Sequence, residues 1–533
     1  MAKLERTEKP INVIIDELKR NEVGLPEIQR GYVWKPIQVR ELVESLYKEY
    51  PCGLILEWKP PEEVIKNLEL RNIAIEQGEV PSDKKPTLLV IDGQQRLTSF
   101  LKVLYGDANV YFNIETEAFE LYGPKLRGQP QWVSVSQVLN EGAIKVWLAL
   151  KEKLSKPIDE EKYLDRLSRL EKIKDYKMPV EILHTDDYEE VTEAFIRINS
   201  KGTRLREAEL ALAQLALHLP GMVSKEFEKT LDEYEEKDFE FDPRFLIRCF
   251  VAVFTNQSRF KYLKKLWESS QDELRKNWEV TRQGLDYTVN FLRNNTGIES
   301  SEWITSINAL VPLVVYFAKK REPLNKEEEN SLLFWFYSAS MWGRYSSSAE
   351  TKLDQDLTVL QPQENAVKRL IENCKKEIRN LKVDQESLIG NYQRSSFLPV
   401  LFVITRKKNA KDWFTGIELS STNVGPSHQI ELHHIFPRAI LKKQGYEPKE
   451  MDDLANIAFL SQKANREIRH LEPIEYFRKF KIEHQRLESQ FIPIQEELWK
   501  TENFKKFIQK RRELITNSMN EYLSHIGAEY MTD

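Results

Sequence analysis

The sequence predicts a multidomain α+β protein, with a mixed α/β front region, a helical middle and a mixed region near the C-terminus. Three observations predict it. The chain has 533 residues, longer than one compact domain usually grows. Up to about residue 205, short apolar runs of strand type alternate with helix-spaced runs. Beyond that point long amphipathic stretches take over, and strand-type segments return after about residue 396. The regions so read are 1–205, 206–395 and 396–533.

Each element follows from local pattern. Lys35–Tyr50 carries Val39, Leu42, Val43 and Leu46 at helical spacing. Gly53–Trp58 and Thr87–Ile91 are short apolar runs, and Asp92-Gly93 closes the second. A helix is predicted from Gln94 to Tyr105. Asn109–Ile114 and Phe119–Tyr122 read as a strand pair, Met178–Leu183 as a further strand, and Glu189–Ile198 as a helix. In the middle, Glu207–His218, Leu274–Arg293 and Glu327–Trp342 are amphipathic, while Asp232–Phe241 is a charge-rich loop or helix end. Ser420–His428 is a loop. It leads into the strand-like Gln429–His434, which Pro437 stops. Asp453–Leu460 is short and apolar, and Ser461 caps a following helix. The segment after Phe477 is helical and charged.

Composition narrows the function classes. The apolar fraction of 41% and the 25 Phe and 11 Trp suit packed cores rather than disorder. The net charge of -5 argues against a nucleic-acid coat, although a local basic face remains compatible with DNA binding. From residue 401 onward there are 21 Lys and Arg against 19 Asp and Glu, a sign that suits a DNA-facing end. The start lacks a secretory h-region, and even Ile307–Ala318 is too short to span a bilayer, so a cytoplasmic protein without membrane partners is expected. Cys52, Cys249 and Cys374 are too scattered for a disulfide framework or a four-cysteine zinc site.

Four of the eight histidines fall between His428 and His470, and two are adjacent in Glu431-Leu-His433-His434-Ile-Phe-Pro437. Neighbours on a strand point to opposite faces, so two functional histidines side by side require a twisted or ending strand. Asp453-Leu-Ala-Asn456 and Lys463-Ala-Asn465-Arg-Glu467 follow. Phosphodiester hydrolysis near neutrality needs a base for water and a cation for the developing charge. Histidine suits the first and a divalent metal the second.

This stretch resembles the HNH nuclease motif, a ββα-metal unit, and more narrowly the carboxy-terminal nuclease domain of GmrSD-like type IV restriction enzymes. The resemblance implies that His434 is the general base and that His433 and Asn465 reach the metal. It also implies that Asn456 orients the base through its amide or its backbone. His433 stands where many such sites have Asp, and Asn465 where many have His. Mg²⁺ prefers oxygen ligands, so His433 points towards Mn²⁺ serving as well or better.

Three front motifs stand out: Pro26-Glu-Ile-Gln29-Arg30-Gly-Tyr-Val-Trp34-Lys35, Asp92-Gly93-Gln94-Gln95-Arg96, and Phe195-Ile-Arg-Ile-Asn199-Ser-Lys-Gly202-Thr-Arg-Leu205. In the second, Gly93 permits a tight turn and the following helix offers free N–H groups, which suits a phosphate. Arg96 can add a bidentate phosphate contact, and Asp92 can hold a metal. In this order the motifs resemble the ParB/sulfiredoxin-like nucleotidase domain at the front of GmrSD-like proteins, over about residues 10–215. The resemblance implies nucleotide binding by Gln29, Arg30, Asp92, Gly93, Gln94, Gln95, Arg96, Asn199 and Gly202, with GTP, UTP or ATP as substrate or effector. The expected whole is a modification-dependent endonuclease against phage DNA, licensed by its front domain. A phosphorothioate-sensing nicking enzyme and a nucleotide-sensing DNA-binding regulator with an inactive nuclease are the alternatives. One such centre cuts one strand at a time, so a double-strand break needs two centres, as in a homodimer, or two visits.

Overall fold

The computed structural model describes residues 3–531, apart from 27–33, 63–64, 66–69, 72–84, 155–158, 187–189, 192–193, 195–206, 220, 321, 362–363, 379, 391, 422 and 424–427. The chain divides into two compact units, Met1–Glu228 and Lys229–Asp533. The helical middle from Lys229 onward and the C-terminal hairpin thus share one unit, while Glu207–His218 belongs to the first. Both units mix helix and strand, as an α+β multidomain chain should.

The front unit is built on a six-stranded mixed sheet. Its strands are β1 (Lys3–Pro10), β2 (Val23–Pro26), β3 (Ile55–Lys59), β4 (Leu70–Arg71), β5 (Leu88–Asp92) and β9 (Lys177–His184), in the order β1-β9-β3-β5-β2-β4. β3 lies parallel to β9, with Ile55 opposite Val180, and antiparallel to β5, with Leu56 opposite Asp92. The register shifts between Leu56 and Glu57, next to the end of β5. A smaller sheet pairs β6 (Val110–Asn113) with β7 (Phe119–Leu121) and β8 (Trp132–Ser134).

The helix Gln94–Tyr105 and the β6–β7 pair arise where their patterns place them. β1, the Ile11–Lys19 helix, β2, β8 and the helices between Val135 and Glu171 join them without such local announcement. The core gathers Ile14, Leu18, Val43, Ile55, Val90, Leu101, Phe112, Leu167 and Val180. Glu57 is buried in the sheet, and Lys9 reaches it at 3.3 Å and Glu17 at 2.8 Å. The helix expected over Glu189–Ile198 falls almost wholly outside the described residues.

The second unit is mainly helical. Gln271–Phe291 and Lys326–Met341 form its middle, close to two stretches read from amphipathicity, together with Leu310–Lys319; the third such stretch, Glu207–His218, is a helix of the front unit. Gly284 lets the first two helices approach: a Cβ there would meet the Val314 carbonyl oxygen at 2.5 Å. The 24-residue helix Phe504–Gly527 buries Ile515, Met519 and Leu523. The hairpin β10 (Ile430–His434) and β11 (Ile457–Ser461) is antiparallel, with His433 opposite Ala458 and His434 opposite Ile457. Ser461 then caps the Gln462–Ile468 helix, its side chain accepting from Ala464 N. Phe459 joins this hairpin to the helices through Phe402, whose ring stacks on Trp303 at 4.1 Å. Among the described residues no helix is long and apolar enough to cross a membrane.

Candidate active site on the C-terminal hairpin

β10 ends in two histidines, and the alternation of a strand sends them apart. His433 is buried, edge-on to Trp413 and Tyr476. His434 is partly exposed, edge-on to Tyr392. The strand stops after His434, and Pro437 forms the N-cap of the Arg438–Lys443 helix.

On one side, His433 Nδ1 lies 2.7 Å from Asn465 Oδ1, and Asn465 Nδ2 donates to Glu431 Oε2 at 2.6 Å. Glu431 and His433 are two apart on β10, hence on one face, and the Gln462–Ile468 helix brings Asn465 over them. The structure therefore joins His433 with Asn465, and adds Glu431. Burial pushes the His433 imidazole down to about 4, against the raising effect of Asn465 and with the help of nearby His434. Its Nε2 is buried without a hydrogen-bond partner among the described residues. Nε2 points away from Asn465, so a cation shared with the Asn465 and Glu431 oxygens would take the Nδ1 lone pair in place of the 2.7 Å hydrogen bond; an imidazole nitrogen, an amide oxygen and a carboxylate suit a divalent cation of borderline hardness. Among the described residues no three His, Cys, Asp or Glu side chains converge as ligands, so the amide of Asn465 would be an essential member.

On the other side, His434 Nε2 lies 3.0 Å from Asp452 Oδ1, and Arg438 Nε reaches the same oxygen at 3.1 Å. Burial lowers the His434 pKa, the Asp452 hydrogen bond and charge oppose that, and Arg438 lowers it further. With Nε2–H donated to Asp452, Nδ1 keeps a lone pair for a proton.

Asn456 is hydrogen-bonded to backbone groups, not to the His434 ring, among the described residues. Its side chain accepts from Phe436 N at 2.9 Å and donates to the Phe436 carbonyl at 3.1 Å and the Met451 carbonyl at 2.9 Å. Its own carbonyl accepts from Ile435 N at 2.8 Å. It thus holds the backbone that leaves His434, while Asp452 holds the ring. Sequence reasoning missed Asp452, although Asp452-Asp453 stands directly before the motif around Asn456.

The hairpin is braced from several directions. Buried Gln490 pairs with the free edge of β11 as a strand would, both contacts with Phe459 being 2.8 Å. Arg511, fully buried on the Phe504–Gly527 helix, donates to the Ala455 carbonyl at 2.8 Å and the Gln490 carbonyl at 3.0 Å. Arg512 pairs with Asp453, whose Oδ1 caps Ala455 N at 2.9 Å. Asp412 accepts from Ser461 N at 2.7 Å, fixing the start of the helix that carries Asn465. Such bracing fixes the positions of the hairpin side chains, as a catalytic site would require.

In the front unit, β5 delivers Asp92, Gly93 takes φ +100°, and the Gln94–Tyr105 helix begins at once. Arg96 turns back, Nη2 to Asp92 Oδ2 at 2.7 Å and Nη1 to the Cys52 carbonyl at 2.9 Å. Both terminal nitrogens are thus engaged inside the unit, and Arg96 braces the turn. Gly53, at φ +83°, makes room: a Cβ there would lie 2.2 Å from Arg96 Nη1. Gln94 is buried and Gln95 half-buried. Gln29, Arg30, Asn199 and Gly202 lie outside the described residues.

Comparison with known proteins adds two findings. Residues 11–216 match the family described as GmrSD restriction endonuclease, N-terminal domain. An uncharacterized protein of Methanocaldococcus jannaschii is 24% identical, over 96% of this chain and 98% of that protein.

Proposed function

From a chain that is GmrSD-like in its front domain, residues 11–216, we propose a metal-dependent DNA endonuclease of the restriction type, with its cutting centre on the β10–β11 hairpin. The observation that carries it is the division of labour at His433-His434. One imidazole joins Asn465, which in turn holds Glu431, and the other pairs with Asp452; a two-stranded hairpin followed by the Gln462–Ile468 helix supports the HNH reading.

His434 takes a proton from water at Nδ1. Asp452 fixes the ring and stabilises the imidazolium that results. Asn456 keeps the exit backbone in place. His433, Asn465 and Glu431 would hold a divalent cation such as Mg²⁺ or Mn²⁺, which when bound offsets charge developing on the phosphate. Arg438, half-exposed beside Asp452, can meet a phosphate oxygen from the protein side.

The front domain is assigned nucleotide binding and hydrolysis at the Asp92–Arg96 turn, with GTP, UTP or ATP, and the licensing of cleavage by nucleotide state or DNA modification. What supports this is the family match across the turn and the tight Asp92-Gly93 geometry. Modified phage DNA is the proposed target. A cytoplasmic nuclease that spares its host has to be conditional.

The test is digestion of modified and unmodified plasmids with Mg²⁺ or Mn²⁺, with and without each nucleotide, by wild type, His434→Ala and Arg96→Ala. Metal-dependent nicking lost in His434→Ala is expected. Nicking that survives in His434→Ala would remove the assignment. DNA binding without nicking under any metal would favour the regulator with an inactive nuclease.

A further inference from the structure

The Gln271–Phe291 and Leu310–Lys319 helices are pressed together at Gly284, and the first runs on into a π-turn over Leu292–Thr296. Such π-turns recur at functional sites. Beside this junction lies a cleft of about 400 Å³, within the range typical of small-molecule sites. Phe291 and Phe317 form an aromatic floor, with centroids 5.6 Å apart. Tyr287 lies almost parallel to Phe317, at 23° with centroids 6.1 Å apart, yet is 61% exposed. An exposed aromatic ring over an aromatic floor leaves π-surface that water serves poorly.

Asn290 and Asn294 follow Tyr287 by three and seven residues on the same lip. Both are exposed, and neither carboxamide has a hydrogen-bond partner among the described residues. Each offers two donors and an acceptor, the complement of a ring edge carrying amine, ring-nitrogen and carbonyl groups. Lys320, on the facing side, is paired with Glu328 at 2.6 Å, so the cleft selects a ring rather than a phosphate.

We infer that this cleft binds a planar heteroaromatic ring of the nucleobase class, stacked on Tyr287 and read at its edge by Asn290 and Asn294. A base swung out of a DNA strand and a free nucleoside present the same ring. The cleft belongs to the same hydrogen-bonded body as the hairpin. Just beyond the π-turn, the Gly297 carbonyl accepts from Arg406 at 2.8 Å, and Glu299 takes Arg406 at 2.7 Å and Ser420 Oγ at 2.6 Å, in the segment leading to β10. The DNA source rests on the endonuclease reading above; the ring site stands without it.

The experiment uses the full-length protein and two fluorescent probes, 2-aminopurine riboside and a single-stranded oligonucleotide carrying 2-aminopurine. Stacking on Tyr287 quenches the probe. Tyr287→Ala should weaken binding about tenfold or more, the scale of one lost base–aromatic stack, while Tyr287→Phe retains it. Quenching by the riboside alone assigns a free nucleoside as ligand, and quenching by the oligonucleotide as well assigns the DNA base. Absence of quenching with both probes, or quenching equal in Tyr287→Ala and wild type, overturns the inference. Tyr287-dependent quenching in a protein whose His434→Ala variant still nicks DNA would leave the cleft standing and remove the nuclease assignment. Nicking lost in His434→Ala with no quenching by either probe would do the reverse.

Discussion

The Nε2 atom of His434 sits 3.0 Å from Oδ1 of Asp452, and the pair spans the hairpin turn between β10 and β11. Arg438 shares the same carboxylate oxygen, so the ring is held through an oxygen that is itself fixed. Asp452→Asn keeps the shape but can present an amide N–H to the ring, which favours the wrong tautomer. Nicking should fall by about 10–100-fold with the melting temperature little changed, the usual cost of losing an orienting partner. Steady-state nicking beside circular dichroism melting checks it, and a wild-type rate in Asp452→Asn would remove Asp452 from the mechanism.

His434→Ala removes the proposed base. A loss of about 10²–10⁴-fold in nicking is expected, with nucleotide turnover unchanged. Asn465→Ala should resemble it, but with part of the rate restored as metal concentration rises. A metal titration of both variants separates the base from the ligand.

Gly53→Ala tests the front turn at a distance in sequence. The added methyl would take the space of Arg96 Nη1, and φ +83° is already unfavourable for alanine. The Arg96–Asp92 pair should open, and nucleotide hydrolysis should fall as far as in Arg96→Ala. Turnover matching wild type in both variants would place phosphate chemistry elsewhere.

Arg511→Ala leaves the buried Ala455 and Gln490 carbonyls without a donor. Each unsatisfied buried group costs roughly 1–3 kcal/mol, so thermal stability should drop by several degrees. Arg511→Lys reaches one carbonyl and should fall between. Differential scanning fluorimetry reads the order wild type, Lys, Ala; equal melting temperatures would mean that the clamp does not matter.

Lys319 gives a pH prediction. Burial depresses its ammonium to about 8, from an ordinary 10.5, with the Asn256 amide oxygen as its hydrogen-bond acceptor. Below pH 8 the folded chain carries the full cost of the buried charge. Between 8 and 10.5 the folded form releases the proton first, and the cost disappears. Lys319→Met should therefore be more stable than wild type at pH 7, with the gap closing as pH rises towards 10. Urea melts across that range measure it, and a pH-independent gap would contradict the assignment.

Much of this was legible in the chain because it depends on neighbours. The helix Gln94–Tyr105 follows from Gly93 and the apolar spacing after it, and the stop of β10 follows from strand alternation meeting Pro437. The Ser461 cap is equally local. β1 and β2 gave weaker local signals, since their pairing is decided by β9 and β5, which come much later in sequence. Gly53 could not be read as functional, since its demand comes from an arginine 43 positions on.

The sequence by itself determined which residues could do chemistry: two adjacent histidines at a strand end, two asparagines after them, and a glycine turn flanked by Asp92 and Arg96. The tertiary structure decided how they divide. It sent His433 into the core with Asn465 and Glu431, gave His434 to Asp452, set Asn456 on the backbone rather than the ring, and turned Arg96 inward on the Cys52 carbonyl. The physical reason is one of range. Periodicity, capping and turn preference act over a few residues, whereas a side chain's partner is chosen by which distant surfaces bury each other, and burial leaves every polar group to find its match there.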